Sequence, residues 1–262
     1  HGVDYIGLSS SELHGRNFDQ ETSRSAVGQP IGSFFVYEAD GLFQSDAEIQ
    51  NYKNDRGELL QPNAKPGDIR FKDLNGDGVI NSDDRDFKGN PLPDCSMGLT
   101  LGFNYKNFDV SAFQGVFGNE VYNLTNYLGE FYNQAQYNKN STILDAWRPD
   151  NTDTDIPRVT LDDPNNNIRP STYYIHNASF VRLKNLKVGY TLPDKVASKL
   201  KLKRTYIYLQ GQNLFTITGY EGIDPEVGLQ SYSSENRNLD MGVDRGVYPL
   251  PRTFTLGVNV SF

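Results

Sequence analysis

The chain has 262 residues and a formal net charge of −8, enough for one large or two small domains. The acidic balance excludes the basic footprint of a nucleic-acid binder, and the single Cys95 excludes an intrachain disulfide. No run approaches the ~20 apolar residues of a membrane helix, which leaves β-barrels open, since their strands disperse apolarity by alternation. There is no Cys/His cluster for zinc, and His1, His14 and His176 stand far apart among polar residues.

Residues 1–23 hold at most one weak strand. Residues 33–43 (SFFVYEADGLF) read as an aromatic-rich strand. Over 96–106, Met97, Leu99, Leu101, Phe103 and Tyr105 alternate with Ser96, Gly98, Thr100, Gly102 and Asn104. Cys95 is a small apolar residue at the start of that strand. After a tight turn at Lys106-Asn107, residues 108–122 keep the apolar phase through Phe108, Val110 and Ala112. The phase breaks at Gln114, which predicts a bulge. In 176–191, Val181 and Leu183 share one face while Leu186, Val188 and Tyr190 share the other, which predicts a second bulge near Lys184-Asn185. Residues 204–217 and 252–262 complete the set. The last strand sets Phe254, Leu256, Val258, Val260 and Phe262 against Thr253, Thr255, Gly257, Asn259 and Ser261. A transmembrane barrel strand has this pattern, with one face to lipid and one to the lumen. On that reading Met97, Leu99, Leu101, Phe103, Leu256 and Val258 face lipid, and Thr100, Gly102, Thr255 and Asn259 face the lumen. With Tyr at 16 and Phe at 15 copies, the chain also has material for aromatic girdles.

The connections 44–95, 106–107, 123–175, 192–203 and 218–251 alternate long, short, long, short, long. Outer-membrane barrels sort their connections this way, with long loops outside and short turns in the periplasm. A periplasmic C-terminus then puts all three long loops on the extracellular side. No signal peptide precedes His1, as expected of a mature protein or a fragment.

The sharpest chemical motif is DLNGDGVINSDD. It places Asp73, Asn75 and Asp77 at positions 1, 3 and 5 of an EF-hand-type loop, with the Val79 carbonyl at 7, Asn81 at 9 and Asp84 at 12. Calcium needs several converging hard oxygens, and Gly78 at position 6 permits the sharp turn. Asp at position 12 reaches less far than the usual Glu. The flanks lack helical periodicity, so a structural Ca2+ within residues 66–85 is expected rather than a sensor, against the alternative of an ion-free acidic turn. Loop 123–175 carries Tyr127, Phe131, Tyr132, Tyr137 and Trp147 among Asn and Gln. This composition suits sugar rings or peptide backbones, or the packing of the loop itself, which is the reading for Trp147. Loop 218–251 adds Tyr220, Tyr232, Arg237, Asp240, Asp244 and Arg245, read mainly as solvated charges. Tyr127, Tyr132 and Tyr232 are the candidate substrate contacts. No serine has a histidine base nearby, and pairs such as Asp83-Asp84 and Asp162-Asp163 are common on surfaces, so no enzyme is expected.

Six blocks occur in order: 30–45 (PIGSFFVYEADGLFQS), 66–85 (PGDIRFKDLNGDGVINSDDR), 89–123, 177–193 (NASFVRLKNLKVGYTLP), 209–226 (LQGQNLFTITGYEGIDPE) and 248–262 (YPLPRTFTLGVNVSF). Together they resemble the C-terminal part of SusC/RagA-type TonB-dependent outer-membrane transporters of Bacteroidetes, from about Gln29 to Phe262. Cys95 and Ala112-Phe113-Gln114 depart from the usual pattern of that family, and the second departure bears on the register of 108–122. The resemblance implies an all-β, antiparallel transmembrane barrel of about 22 strands, with residues 1–262 its C-terminal portion and the plug domain outside this chain. It also implies partners: a SusD-like surface lipoprotein, the remaining barrel and plug, the TonB complex, outer-membrane lipid, and a glycan or oligopeptide substrate. Apolar positions in the long loops are then expected to be covered by partner chains. A passive porin or adhesin barrel, and a soluble calcium-binding β-module presenting a carbohydrate site, are the competing readings.

Overall fold

The computed structural model describes residues 5–7, 22–111, 114–117, 119–123, 138–228 and 241–262, with backbone alone at 5–7, 25, 108–111, 114–117 and 122–123. In chain order the elements are β1 (Tyr5–Gly7), β2 (Ser23–Ser25), β3 (Ser33–Tyr37), β4 (Ala39–Leu42), α1 (Asp46–Asn51), β5 (Ile69–Phe71), β6 (Arg85–Phe87), β7 (Cys95–Gly98), β8 (Phe103–Tyr105), β9 (Phe108–Ser111) and β10 (Gln114–Phe117). They continue with β11 (Glu120–Asn123), β12 (Ile175–Asn177), β13 (Phe180–Arg182), β14 (Asn185–Thr191), α2 (Asp194–Lys199), β15 (Arg204–Gln212), β16 (Thr216–Thr218), β17 (Val243–Asp244) and β18 (Thr253–Ser261). Among these residues no helix is long and apolar enough to cross a membrane. The chain forms two compact units. One is His1–Leu92, Glu120–His176 and Val227–Gly246; the other is Pro93–Asn119, Asn177–Glu226 and Val247–Phe262.

The second unit is an antiparallel meander. Its larger sheet has the order β18-β15-β14-β9-β8. Directly opposed residues share a face, so the register shows where the alternation leads. Leu256 lies opposite Leu209, Leu209 opposite Val188, Val188 opposite Val110, and Val110 opposite Phe103. One row along, Val258, Ile207, Tyr190, Phe108 and Tyr105 align in the same way. An unbroken apolar face therefore crosses all five strands. Of its described side chains, Leu256 is 73% exposed, Phe103 64% and Leu209 54%. Met97, Leu99 and Leu101 are exposed as well. The other face carries Thr255 opposite Gln210, then Lys187, then Ser111. Asn259 lies on that face opposite Tyr206.

The smaller sheet, β16-β13-β10-β7, repeats the same neighbour order with the adjoining pieces of the same strands. The meander is thus interrupted once along its length. Arg182 pairs with Thr216 and Asn185 with Gln212, so Leu183 and Lys184 face three residues, Asn213 to Phe215. This is a bulge with one extra residue on the β15–β16 side. Asn213 takes the left-handed conformation there, with φ 51°. Leu183 N–H donates to the Phe215 carbonyl and Asn213 N–H to the Lys184 carbonyl, both at 3.0 Å, so the backbone stays paired through the irregularity. The phase break read in 176–191 lies here. The break read at Gln114 adjoins residues 112–113, which lie outside the described residues. Cys95 is free and exposed, and β7 begins with it.

The first unit departs from expectation. Residues 33–43 are not one strand: the chain breaks at Glu38, and β3 pairs with β2 and β6 while β4 pairs with β5. Both faces of β3 are covered. Phe34 and Val36 are fully buried, and the opposite side is roofed by cations. The Arg24 guanidinium lies 3.7 Å from the Phe35 ring centroid and Arg169 5.1 Å from that of Tyr37. The long loops bury some of their own apolar side chains, where partner chains were expected to cover them, while Leu144, Val159 and Leu161 remain exposed. Phe43, Ile69, Phe71 and Tyr174 are at most 1% exposed, and Trp147 is 8%. Trp147 packs, as its sequence context suggested: its Nε1–H donates to Gln44 Oε1 at 2.9 Å. Its ring fills the space where a Cβ on Gly67 would stand, 2.5 Å from Cε3, and Gly67 has φ +89°.

Among the described strands, β5 pairs with β4 alone. On its other side, amide side chains stand in for a strand. Gln61 donates to the Ile69 carbonyl at 3.0 Å and accepts from Phe71 N–H at 2.8 Å. Asn167 accepts from Ile69 N–H at 2.9 Å, and Asn165 donates to the Ile69 carbonyl at 2.9 Å. Asp68, wholly buried, holds Arg158 in a bidentate pair at 2.6 and 3.1 Å and accepts from Asn167 at 2.9 Å. Polar groups this deep must be paired, and here they are.

Two outcomes follow from this packing. Asp68→Ala strands the Arg158 charge and should cost ~3–5 kcal/mol, read as lost hydrogen-exchange protection at Ile69 and Phe71; wild-type protection would contradict the network. Val258→Arg, on the bare apolar face, should cost ~2–4 kcal/mol at the bilayer midplane and far less near an interface, read by equilibrium unfolding from vesicles. A neutral effect with Val258 buried among protein groups would contradict the lipid-facing assignment.

Candidate functional site

The polar face of the five-stranded sheet concentrates chemistry that its alternation only hinted at. Tyr206 and Tyr208 lie on it two residues apart and stack with centroids 5.7 Å apart and planes 26° apart. The Lys187 ammonium sits 4.9 and 4.7 Å from the two rings, a cation shared by two π-faces. The Tyr208 ring lies across Gly257, where a Cβ would come within 2.2 Å of Cζ. Beside Tyr206, a cavity of about 840 Å³ is bordered by Asn104, Lys106, Arg204 and Asn259. Such a face can stack on flat rings and donate hydrogen bonds.

A second cluster lies at the bulge. The Arg182 side chain is 3% exposed and donates to Asp224 at 2.6 Å, Glu226 at 2.9 Å and Thr216 Oγ1 at 2.8 Å. Lys184 Nζ reaches Glu226 at 2.7 Å. Asp224 also accepts from Glu226 N–H at 2.9 Å and Leu250 N–H at 3.2 Å. Burial opposes ionisation of Asp224, but these donors hold its carboxyl below the ordinary value. One carboxylate thus clips together the chain on either side of 227–249.

The acidic loop folds as a ladder of side chain-to-backbone bonds. Asp73 accepts from Gly76 and Gly78 N–H at 2.7 and 2.8 Å. Asn75 Oδ1 accepts from Asp77 N–H, and Asp77 Oδ1 from Val79 N–H, both at 2.8 Å. Gly76 and Gly78 take φ of 74° and 88°, which permits the turn. Asp84 is wholly buried and closes the loop: Oδ1 accepts from Leu74 and Asn75 N–H at 2.8 and 3.3 Å, Oδ2 from Asn81 N–H at 2.7 Å. Asn81 Nδ2 donates to the Val79 carbonyl at 3.3 Å. Among the described residues, no three His, Cys, Asp or Glu side chains gather in metal-binding geometry. The donor set is nonetheless one of hard oxygens, and each oxygen that accepts one N–H retains a lone pair. Tyr52 borders this loop with Asp73 and Asp77. Its hydroxyl donates to the Phe71 carbonyl at 2.6 Å, and burial raises its pKa.

Tyr127, Tyr132 and Tyr232 lie outside the described residues, as do Phe131, Tyr137, Arg237 and Asp240. Asp244 was expected as a solvated charge; it is fully buried and accepts from Gly246 N–H at 2.8 Å. Tyr220 is 6% exposed. Sequence reasoning missed the Arg182–Asp224–Glu226 cluster. An arginine in the apolar-flanked run SFVRL was its one available signal.

No family model matches the chain. Among curated proteins it is 37% identical to TonB-dependent receptor P3 of Formosa agariphila over 249 residues, 95% of this chain and 24% of that protein. It is 30% identical to TonB-dependent receptor SusC of Bacteroides thetaiotaomicron over 98% of this chain and 22% of that one. Among solved structures, the RagAB peptide transporter aligns with a TM-score of 0.67 at 25% identity, over 99% of this chain and 25% of that chain. The chain thus spans about a quarter of the length of the relatives it matches. Its unbroken apolar sheet face, its bulged meander and these likenesses agree: the chain belongs to the SusC/RagA type of TonB-dependent receptors and is a segment of their antiparallel outer-membrane barrel.

Proposed function

We propose that this chain is one wall of an outer-membrane importer that takes up a glycan or oligopeptide with energy from TonB, in company with a SusD-like lipoprotein. The carrying observation is the register of the five-stranded sheet, apolar on one whole face and polar with stacked tyrosines on the other. On this reading the apolar face meets lipid and the polar face lines the lumen. The short turns end in the periplasm, the long loops stand outside, and the chain does no covalent chemistry. Likeness to a peptide importer favours oligopeptides; aromatic rings among amides in loop 123–175 would serve sugars equally. Tyr127, Tyr132 and Tyr232 are the proposed loop contacts. Cells carrying the full-length protein should take up substrate only with TonB present, and uptake unchanged without TonB would favour a passive porin.

The loop Asp73–Asp84 is proposed to hold a structural Ca2+ through Asp73, Asn75, Asp77, the Val79 carbonyl and Asp84, with Asn81 at the ninth position. The order of donors and the two glycines support it. The ion would neutralise Asp73, Asp77 and Asp84, whose oxygens accept backbone N–H groups of the turn. Terbium added to the full-length protein should give emission sensitised by nearby tyrosine such as Tyr52, displaced by calcium in the ~10⁻⁴–10⁻³ M range. Asp73→Ala with Asp77→Ala should abolish it. Equal emission from that variant would leave the motif an ion-free turn.

A further inference from the structure

The turn between β14 and β15 concentrates charge of one sign. Lys195, Lys199, Lys201, Lys203 and Arg204 are all exposed, against a single acid, Asp194. Lys106, at the β8–β9 turn, is exposed at the same end of the sheet: Thr191 N–H donates to the Asn107 carbonyl at 3.0 Å, and Tyr190 lies opposite Phe108. Among the described residues none of these six cations is in an ion pair.

Helix α2 lies within this turn and buries only Ala197. Val196 and Leu200 are left 45% and 58% exposed between the lysines. The helix packs on the start of β15. There Thr205 is buried, although Ile207 and Leu209 in the same phase of the strand are exposed. The helix therefore packs beside Thr205 at the end of the apolar face, while Asp194 at its start borders the cavity next to Tyr206. A short element with aliphatic side chains amid cations, continuous with a lipid-facing sheet, has the composition of an interfacial anchor.

We propose that this turn docks on anionic phospholipid headgroups at the membrane surface. Val196 and Leu200 enter the acyl boundary, and Lys195, Lys199 and Lys201 hold the headgroup phosphates. Lysine suits this position because its carbon stem stays with the apolar layer while the ammonium reaches outward. A lipid fits better than an acidic protein because Val196 and Leu200 stand exposed beside the end of the apolar sheet face. The proposal rests on the barrel-wall reading above.

The test uses the full-length protein in nanodiscs of mixed phosphatidylglycerol and phosphatidylcholine, with spin-labelled lipid reporting the boundary shell. Phosphatidylglycerol should be enriched over phosphatidylcholine by about fivefold at low salt, the attraction of one cation at an anionic surface. The enrichment should fall to parity in about 1 M salt and in the K195Q/K199Q/K201Q variant. That variant should keep folded mobility on unheated gels and TonB-dependent uptake. Equal enrichment in variant and wild type, or none in wild type, overturns the proposal. Displacement of phosphatidylglycerol by millimolar inorganic phosphate would mark a small-anion site and overturn it too. Uptake that persists without TonB would sink the transport reading while leaving the lipid measurement intact.

Discussion

In hydrocarbon no water is available to a free backbone N–H or C=O, so every strand must be paired on both sides and closed upon itself. The second unit is organised by that constraint. Its strands run as a continuous meander, and even at the bulge the amides of Leu183, Asn213 and Leu214 find carbonyls across the strand pair. Side chains are then free to serve the surroundings rather than a core. This is why Leu256 and Phe254 can be largely bare in a strand that is fully hydrogen-bonded to its neighbour. Among the described strands, β8 and β18 are the outer members of this sheet.

The bulge has a second consequence. One extra residue at Asn213–Phe215 lets the β13–β14 strand change phase, so that Arg182 and Leu186 do not compete for one side of the sheet. An arginine on the apolar face would be expensive in lipid. Turned the other way, it becomes the centre of a buried charge cluster with Asp224 and Glu226. The pairing of Asp224 with Leu250 N–H then gives the long excursion between them a fixed base.

The first unit follows a different physics, that of a small water-soluble core. Its buried aromatics need a hydrogen-bonded frame, and much of it is amide side chains: Gln61, Asn165 and Asn167 pair the edge of β5 that no described strand occupies. A wholly buried Asp68 is stable there because Arg158 and Asn167 satisfy its oxygens. The same surface carries milder pairs, such as Glu38 between Lys72 and Lys88, whose hydrogen bonds hold its carboxyl below the ordinary range.

The sequence by itself determined which side of each membrane strand is apolar, because period two is a local property of extended backbone. It also located the bulge near Lys184, since a phase change leaves a visible break in alternation. It marked the turn at Asp73–Asp84 through glycines at positions that require positive φ. Only the tertiary structure decided that residues 33–43 divide between two sheets, because aromatic runs read alike in lipid and in a soluble core. Only it assigned the asparagine run at 165–167 to packing, since Gln61 meets Asn165 across 104 positions of chain. Contacts of that span leave no periodicity to read. Their partners are chosen by unsatisfied hydrogen bonds that exist only once the chain has folded.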